Sequence, residues 1–158
     1  MFRTPLVRTG AVVVAAVLTC LVGVVHAQPA LVKGQTVYVP AYSNILFGDK
    51  PQPFNLATTL VIHNINTKDT MNVISADYHD SHGKLVKKLL PSPIKLQPMA
   101  STHFFIQESD TSGGLGANFL VKWQADKKVN APIIEAVMIG TKFGQGISFV
   151  SHGREIVE

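Results

Sequence analysis

Phe54-Asn55-Leu56-Ala57-Thr58-Thr59-Leu60-Val61-Ile62-His63 alternates between apolar and polar positions. Phe54, Leu56, Leu60 and Ile62 fall on one side of an extended chain with Thr58 between them. Asn55, Ala57, Thr59, Val61 and His63 fall on the other. Successive side chains of a strand point to opposite faces of a sheet, so this period of two predicts a half-buried strand. His63 is expected on the solvent side.

Similar signals extend in both directions. Upstream, Val37-Tyr38-Val39 is β-branched and aromatic, and Pro40 closes it. Downstream, Asn64 to Asp69 reads as a polar turn. Met71 to Tyr78 is a strand whose apolar phase slips between Val73 and Ile74, which predicts a bulge. Asp80-Ser81-His82-Gly83 is a turn with glycine where positive φ is expected. Lys84 to Leu90 follows as a strand, and prolines 91, 93 and 98 bracket a short extended piece, Ile94 to Leu96. Thr102 to Glu108 is a strand with His103 at an edge or surface. Ser109 to Gly116 is a loop, and Ala117 to Ala125 turns Phe119, Val121 and Trp123 to one face. Asp126 to Asn130 reads as a turn. Ile133 to Ile139 is apolar on both faces apart from Glu135, which predicts a central strand covered on both sides or a partner surface. Arg154 is the expected ion partner of Glu135. Gly140 to Gly146 is glycine-rich, and Ile147 to Val150 is the last clear strand. Many short strands with turns every ~8–12 residues and no helical period predict an all-β chain, an antiparallel β-sandwich of immunoglobulin-like architecture. The Cys…Trp…Cys spacing of antibody domains is absent.

The N-terminus carries different information. Arg3 and Arg8 precede an uncharged apolar run, Ala11 to Val25, and Val25-His26-Ala27 offers small residues at a cleavage site. This is the layout of a secretory signal peptide, residues 1–27, to be removed on export to the periplasm or exterior. Two alternatives stand beside it. One is an uncleaved anchor, although the run is shorter than the ~20 residues that span a bilayer. The other is lipid attachment at Cys20, after Val17-Leu18-Thr19. Residues 28–34 then form a short linker and 35–158 a single domain. Cleavage would remove the chain's one cysteine, excluding disulfides, thiolate catalysis and sulfur-ligated metals in the mature protein. It would lower 14 basic residues to 12 against 10 acidic ones, so the net charge falls from +4 to +2. With scattered lysines and Arg154 as the one remaining arginine, nucleic acid is not an expected partner.

The run Glu108-Ser109-Asp110-Thr111-Ser112-Gly113-Gly114-Leu115-Gly116-Ala117-Asn118 is the leading ligand-site candidate. Glycines let a backbone approach a ligand, and consecutive N–H groups can cradle an anion. Glu108 and Asp110 supply carboxylates, Asn118 an amide and Trp123 an aromatic neighbour. The plainer reading is a sharp corner permitted by Gly113, Gly114 and Gly116. No lysine–hydroxyl pair or following helix marks a phosphate loop. Asp77, His79, Asp80 and His82 have the composition of a metal site, yet they flank a hairpin turn whose neighbours point to opposite faces. Ser43, Ser148 and Ser151 lack a nucleophile elbow. No residue is assigned a catalytic role, and no cofactor is implied.

Tyr38-Val39-Pro40-Ala41-Tyr42-Ser43, Gly113-Gly114-Leu115-Gly116-Ala117-Asn118-Phe119, Trp123, Met138-Ile139-Gly140 and Gly146-Ile147-Ser148-Phe149 together resemble a family of small exported bacterial proteins catalogued only as a domain of unknown function. The resemblance runs from about Gly34 to the C-terminus, and the glycine-rich block is its most specific part. The family more often has tyrosine where this chain has His79, which weakens a metal reading. The resemblance implies a bacterial, exported, β-rich domain, with no activity attached. The expected role is a non-catalytic binding or accessory module of the cell envelope, with an envelope protein or a small ligand as partner. The alternatives are a small periplasmic hydrolase using Glu108 or Asp110 as base, and a metal-binding protein using the Asp77–His82 turn.

Overall fold

A computed structural model describes residues 30–157. The expected signal peptide, with its expected cleavage after Ala27, and Cys20 lie outside the described residues. Every element among them is a strand: β1 (Val32–Pro40), β2 (Asn44–Phe47), β3 (Gln52–Asn55), β4 (Ala57–His63), β5 (Met71–His79), β6 (Leu85–Lys88), β7 (Ile94–Leu96), β8 (Ser101–Ile106), β9 (Asn118–Val129), β10 (Ile133–Lys142), β11 (Gln145–His152) and β12 (Arg154–Ile156). All pairings are antiparallel. One sheet runs β12-β1-β9-β5-β6, with β7 also on β5. A second runs β11-β10-β4-β8, and β2 and β3 form a separate hairpin.

Both large sheets feed one hydrophobic core. The first contributes Val37, Val39, Val73, Tyr78, Phe119, Val121 and Trp123; the second contributes Leu60, Ile62, Ile134, Ala136 and Met138. Burying a side chain of this kind stabilises the fold by roughly 1.5–3 kcal/mol. The alternating stretch behaves as its pattern requires: Phe54, Leu56, Thr58, Leu60 and Ile62 are buried, and the alternate positions are partly exposed. It is two strands, however. The chain leaves the ladder at Leu56, so β3 joins the small hairpin and β4 enters the second sheet.

The bulge expected after Val73 is present as a register shift between Val73 and Ser75. The Asp80–Gly83 turn has Gly83 at φ 77°, with the Asp80 carboxylate accepting the backbone N–H groups of His82 and Lys84 at 2.9 Å. His103 is exposed.

Four expectations need correction. β1 begins at Val32, inside the stretch 28–34 read as a linker. β9 continues through the supposed turn at Asp126–Asn130 as far as Val129. Val32 pairs with Val129 and Gly34 with Gln124, so the charged residues between bulge out of a ladder that still holds at both ends. β10 is central in its sheet but covered on one face only: Ile134, Ala136 and Met138 point inward, while Ile133 and Ile139 are about half exposed. Finally, Glu135 does not meet Arg154. β11 places His152 opposite Glu135, Nδ1 to Oε2 at 3.3 Å, whereas Arg154 has moved into the other sheet on β12.

Candidate functional site

The glycine-rich loop folds inward. The Gly113 carbonyl accepts both the backbone N–H and the hydroxyl of Ser81 at 3.0 Å, and Gly116 N–H donates back to Ser81 Oγ at 2.8 Å. Gly114 N–H donates to Thr111 and its carbonyl accepts Ser43 N–H at 3.0 Å. The N–H groups that would cradle an anion at Gly114 and Gly116 are therefore engaged within the chain. Gly113 sits directly over Tyr78: a Cβ there would lie 2.1 Å from the phenolic oxygen. Beneath it, Tyr78 and Ser43, both almost fully buried, share a hydrogen bond of 2.7 Å. Burial pushes the Tyr78 phenol above its ordinary value, and the Asp110 charge adds to this against the opposing Ser43 hydrogen bond.

The other sequence candidates are dispersed. Asp110 accepts the Ser112 N–H and hydroxyl and so closes a local turn. Asn118 opens β9, in register with Pro40 and His79. Trp123 is 2% exposed in the core, and its indole nitrogen meets no hydrogen-bond partner among the described residues. Of the Asp77–His82 set, Asp80 serves its own turn, and no group of three or more potential metal ligands forms among the described residues.

Glu108 goes elsewhere. It lines a groove of about 300 Å³ with Pro53, Asn55, Thr141 and Lys142, where the β2–β3 and β10–β11 hairpins come together. Lys142 also lines an adjoining cleft of about 270 Å³ with Ile45, Phe47, Phe54, Phe143 and Ile147. Its ammonium donates to the Pro53 carbonyl at 2.9 Å and lies 4.9 Å from the Phe47 ring centre and 5.5 Å from that of Phe143. Phe47 stands edge-on to Phe54 at 5.9 Å, and Gly140 leaves the space that Phe54 fills, since a Cβ there would come within 2.6 Å of that ring.

Phe143 is the unusual residue of this end. Lys142 pairs with Gln145, so Phe143 and Gly144 alone make the turn, at φ 52° and 75°. Positive φ at both positions is the I′ hairpin geometry, which favours asparagine or glycine at the first place and costs a bulky residue about 1–2 kcal/mol. The ring recovers little of this by packing, being 85% exposed. An exposed aromatic held in a strained turn is a pointer to function. Phe47, 37% exposed, leaves a second ring edge open to solvent beside Phe143. Sequence reasoning missed Phe47, Lys142 and Phe143. The available signals were the apolar run Ile45-Leu46-Phe47 before Gly48-Asp49, and a phenylalanine at the asparagine position of a hairpin turn.

A crystal structure from Thermotoga maritima, described as Thermotoga maritima 1070, is similar at a TM-score of 0.46 and 10% sequence identity, over 76% of this chain and 92% of that one. At that score the likeness carries no argument. No curated protein matches the chain. The model of a family described as a protein of unknown function, DUF3124, matches residues 34–156, including the glycine-rich block, Trp123 and both hairpins' final strands. The chain belongs to the DUF3124 family.

Proposed function

We propose that the protein is an exported, non-catalytic binding module of the bacterial envelope, built as an immunoglobulin-like β-sandwich. In this reading its contact surface is the aromatic end formed by Phe47, Phe54, Lys142 and Phe143, with Glu108 beside it. The observation that carries the reading is Phe143, solvent-exposed in a turn that disfavours it. The glycine-rich loop serves in this reading as a packing corner, because its polar groups are satisfied internally. The fitting partner presents an apolar segment to the rings, with Lys142 and Glu108 as polar handles.

The test is sedimentation of the purified protein with isolated envelope fragments. The wild-type chain and the control Leu115→Ser, altered on the glycine-rich loop, co-sediment, while Phe143→Asn stays in the supernatant. If Leu115→Ser abolishes association and Phe143→Asn does not, the contact surface is the glycine-rich loop and this assignment fails. No association by the wild-type chain defeats the envelope role. Mass spectrometry of the protein as it accumulates in cells checks export: a chain beginning at Gln28 supports it, and a chain that retains Met1 or begins with a lipid on Cys20 overturns cleavage after Ala27.

A further inference from the structure

Among the described residues no strand pairs with the outer side of β8. Asn64 N–H donates to the Ala100 carbonyl at 2.9 Å, so that carbonyl points toward the β4 side, while the Ala100 N–H closes a turn onto the Gln97 carbonyl. By alternation Thr102, Phe104 and Ile106 point there too, in register with Ile62, Leu60 and Thr58. Ser101, His103 and Phe105 therefore present their N–H and C=O groups outward, away from β4. Their side chains are all exposed, Phe105 to 56%.

Natural edges are usually guarded by lysine, proline, a bulge or short length. β6 carries Lys87 and Lys88 and a register shift, and β12 has three residues. The end of β11 is leaned on by the chain around Pro40: Ser151 Oγ donates to the Pro40 carbonyl, and Tyr42 packs edge-on to Phe149. β8 has no lysine, no proline and an unbroken register with β4.

We propose that β8 pairs antiparallel with β8 of a second copy about a two-fold axis at His103. This register sets His103 against His103 and Phe105 against Ser101 of the second copy. It uses all three outward donor–acceptor pairs, in about six hydrogen bonds. Centring on Phe104 instead would leave Ser101 outside the ladder. The row Val150–Val137–Thr59–Phe105 crosses the outer face of the second sheet and ends against Ser101 of the second copy. A second copy fits better than a foreign peptide. Strand addition draws peptide specificity from side-chain pockets along the edge, and no β8 residue lines either cleft of the aromatic end. Identical strands need no pocket to be complementary.

The experiment measures the mass in solution of the protein purified from cells, by sedimentation equilibrium. The wild-type chain is a dimer. His103→Pro halves the mass while the monomer still unfolds in one cooperative melt, because the lost N–H faces outward and the hydrogen bonds to β4 are kept. Phe105→Lys, which leaves the backbone intact, also halves it. In a Cys20→Ser background, His103→Cys forms an intermolecular disulfide on mild oxidation, since the paired Cα atoms lie about 5.5 Å apart. Phe105→Cys does not, because its copy is four residues out of register. A monomeric wild-type protein overturns the proposal. So does a dimer that survives both His103→Pro and Phe105→Lys, or one in which Phe105→Cys cross-links and His103→Cys does not.

Discussion

At the scale of single residues, Gly113 and Tyr78 are packed so closely that no side chain fits between them. The glycine's missing side chain is occupied by the phenol, with Ala117 Cβ also within 2.6 Å of where a Cβ would stand. Gly113→Ala should therefore lower stability by about 1–3 kcal/mol, the range for overpacking a filled site, as read by chemical denaturation. A ligand loop with free space would tolerate the methyl. Tyr78 gives a second expectation. Its phenol is held above its ordinary value by burial, so the native state keeps a proton that the unfolded chain releases. Stability from this source is fully present below pH 10, the ordinary tyrosine value, and is lost as pH rises through the native value. Thermal melts across the alkaline range should show that loss in the wild-type chain and a smaller one in Tyr78→Phe. Of the candidates legible in sequence, Glu108 alone lines the aromatic end. Trp123 is core because Phe119 and Val121 share its face, an alternation visible in the sequence itself.

Among elements, the two hairpins of the aromatic end were the hardest to read and matter most. β2 is four residues long and β3 is interrupted by Pro53, so neither offers enough period-two repeats to stand out. The β10–β11 turn was legible as glycine-rich, but which residues take positive φ depends on the register between the strands. That register puts Phe143 at the first turn position. Phe143→Asn should raise stability by about 1 kcal/mol by relieving the left-handed conformation, while weakening envelope association. Opposite signs in a melt and a sedimentation assay would separate a functional aromatic from a merely tolerated one. Loss of stability together with loss of binding would make Phe143 a structural residue.

For the whole molecule, the ends of the two sheets are tied by asparagines. Asn64 and Asn66 follow β4, Asn130 follows β9, and all three sit where the sequence shows only polar turns. Asn66 donates to the Asn130 carbonyl at 3.1 Å and accepts its backbone N–H at 2.9 Å, and it also donates to Asn64 Oδ1 at 2.9 Å. Asn64 in turn donates to the carbonyls of Asp69 at 2.8 Å and Gln97 at 2.9 Å. Asn66→Ala strands several of these buried groups and should cost about 2–3 kcal/mol in denaturant unfolding, far more than a polar-turn substitution. Local pattern was enough for the all-β class, the faces of β4 and of the first part of β9, the bulge after Val73 and the Asp80–Gly83 turn. These follow from local periodicity and backbone preference, which need no distant partner. It takes the folded chain to bring Glu135 to His152 and Asn66 to Asn130, to fill the glycine loop with Ser81 and Tyr78, and to gather Phe47, Phe54 and Phe143 around Lys142. Each joins residues far apart in the chain or depends on strand register, and local pattern carries no information about which strands become neighbours.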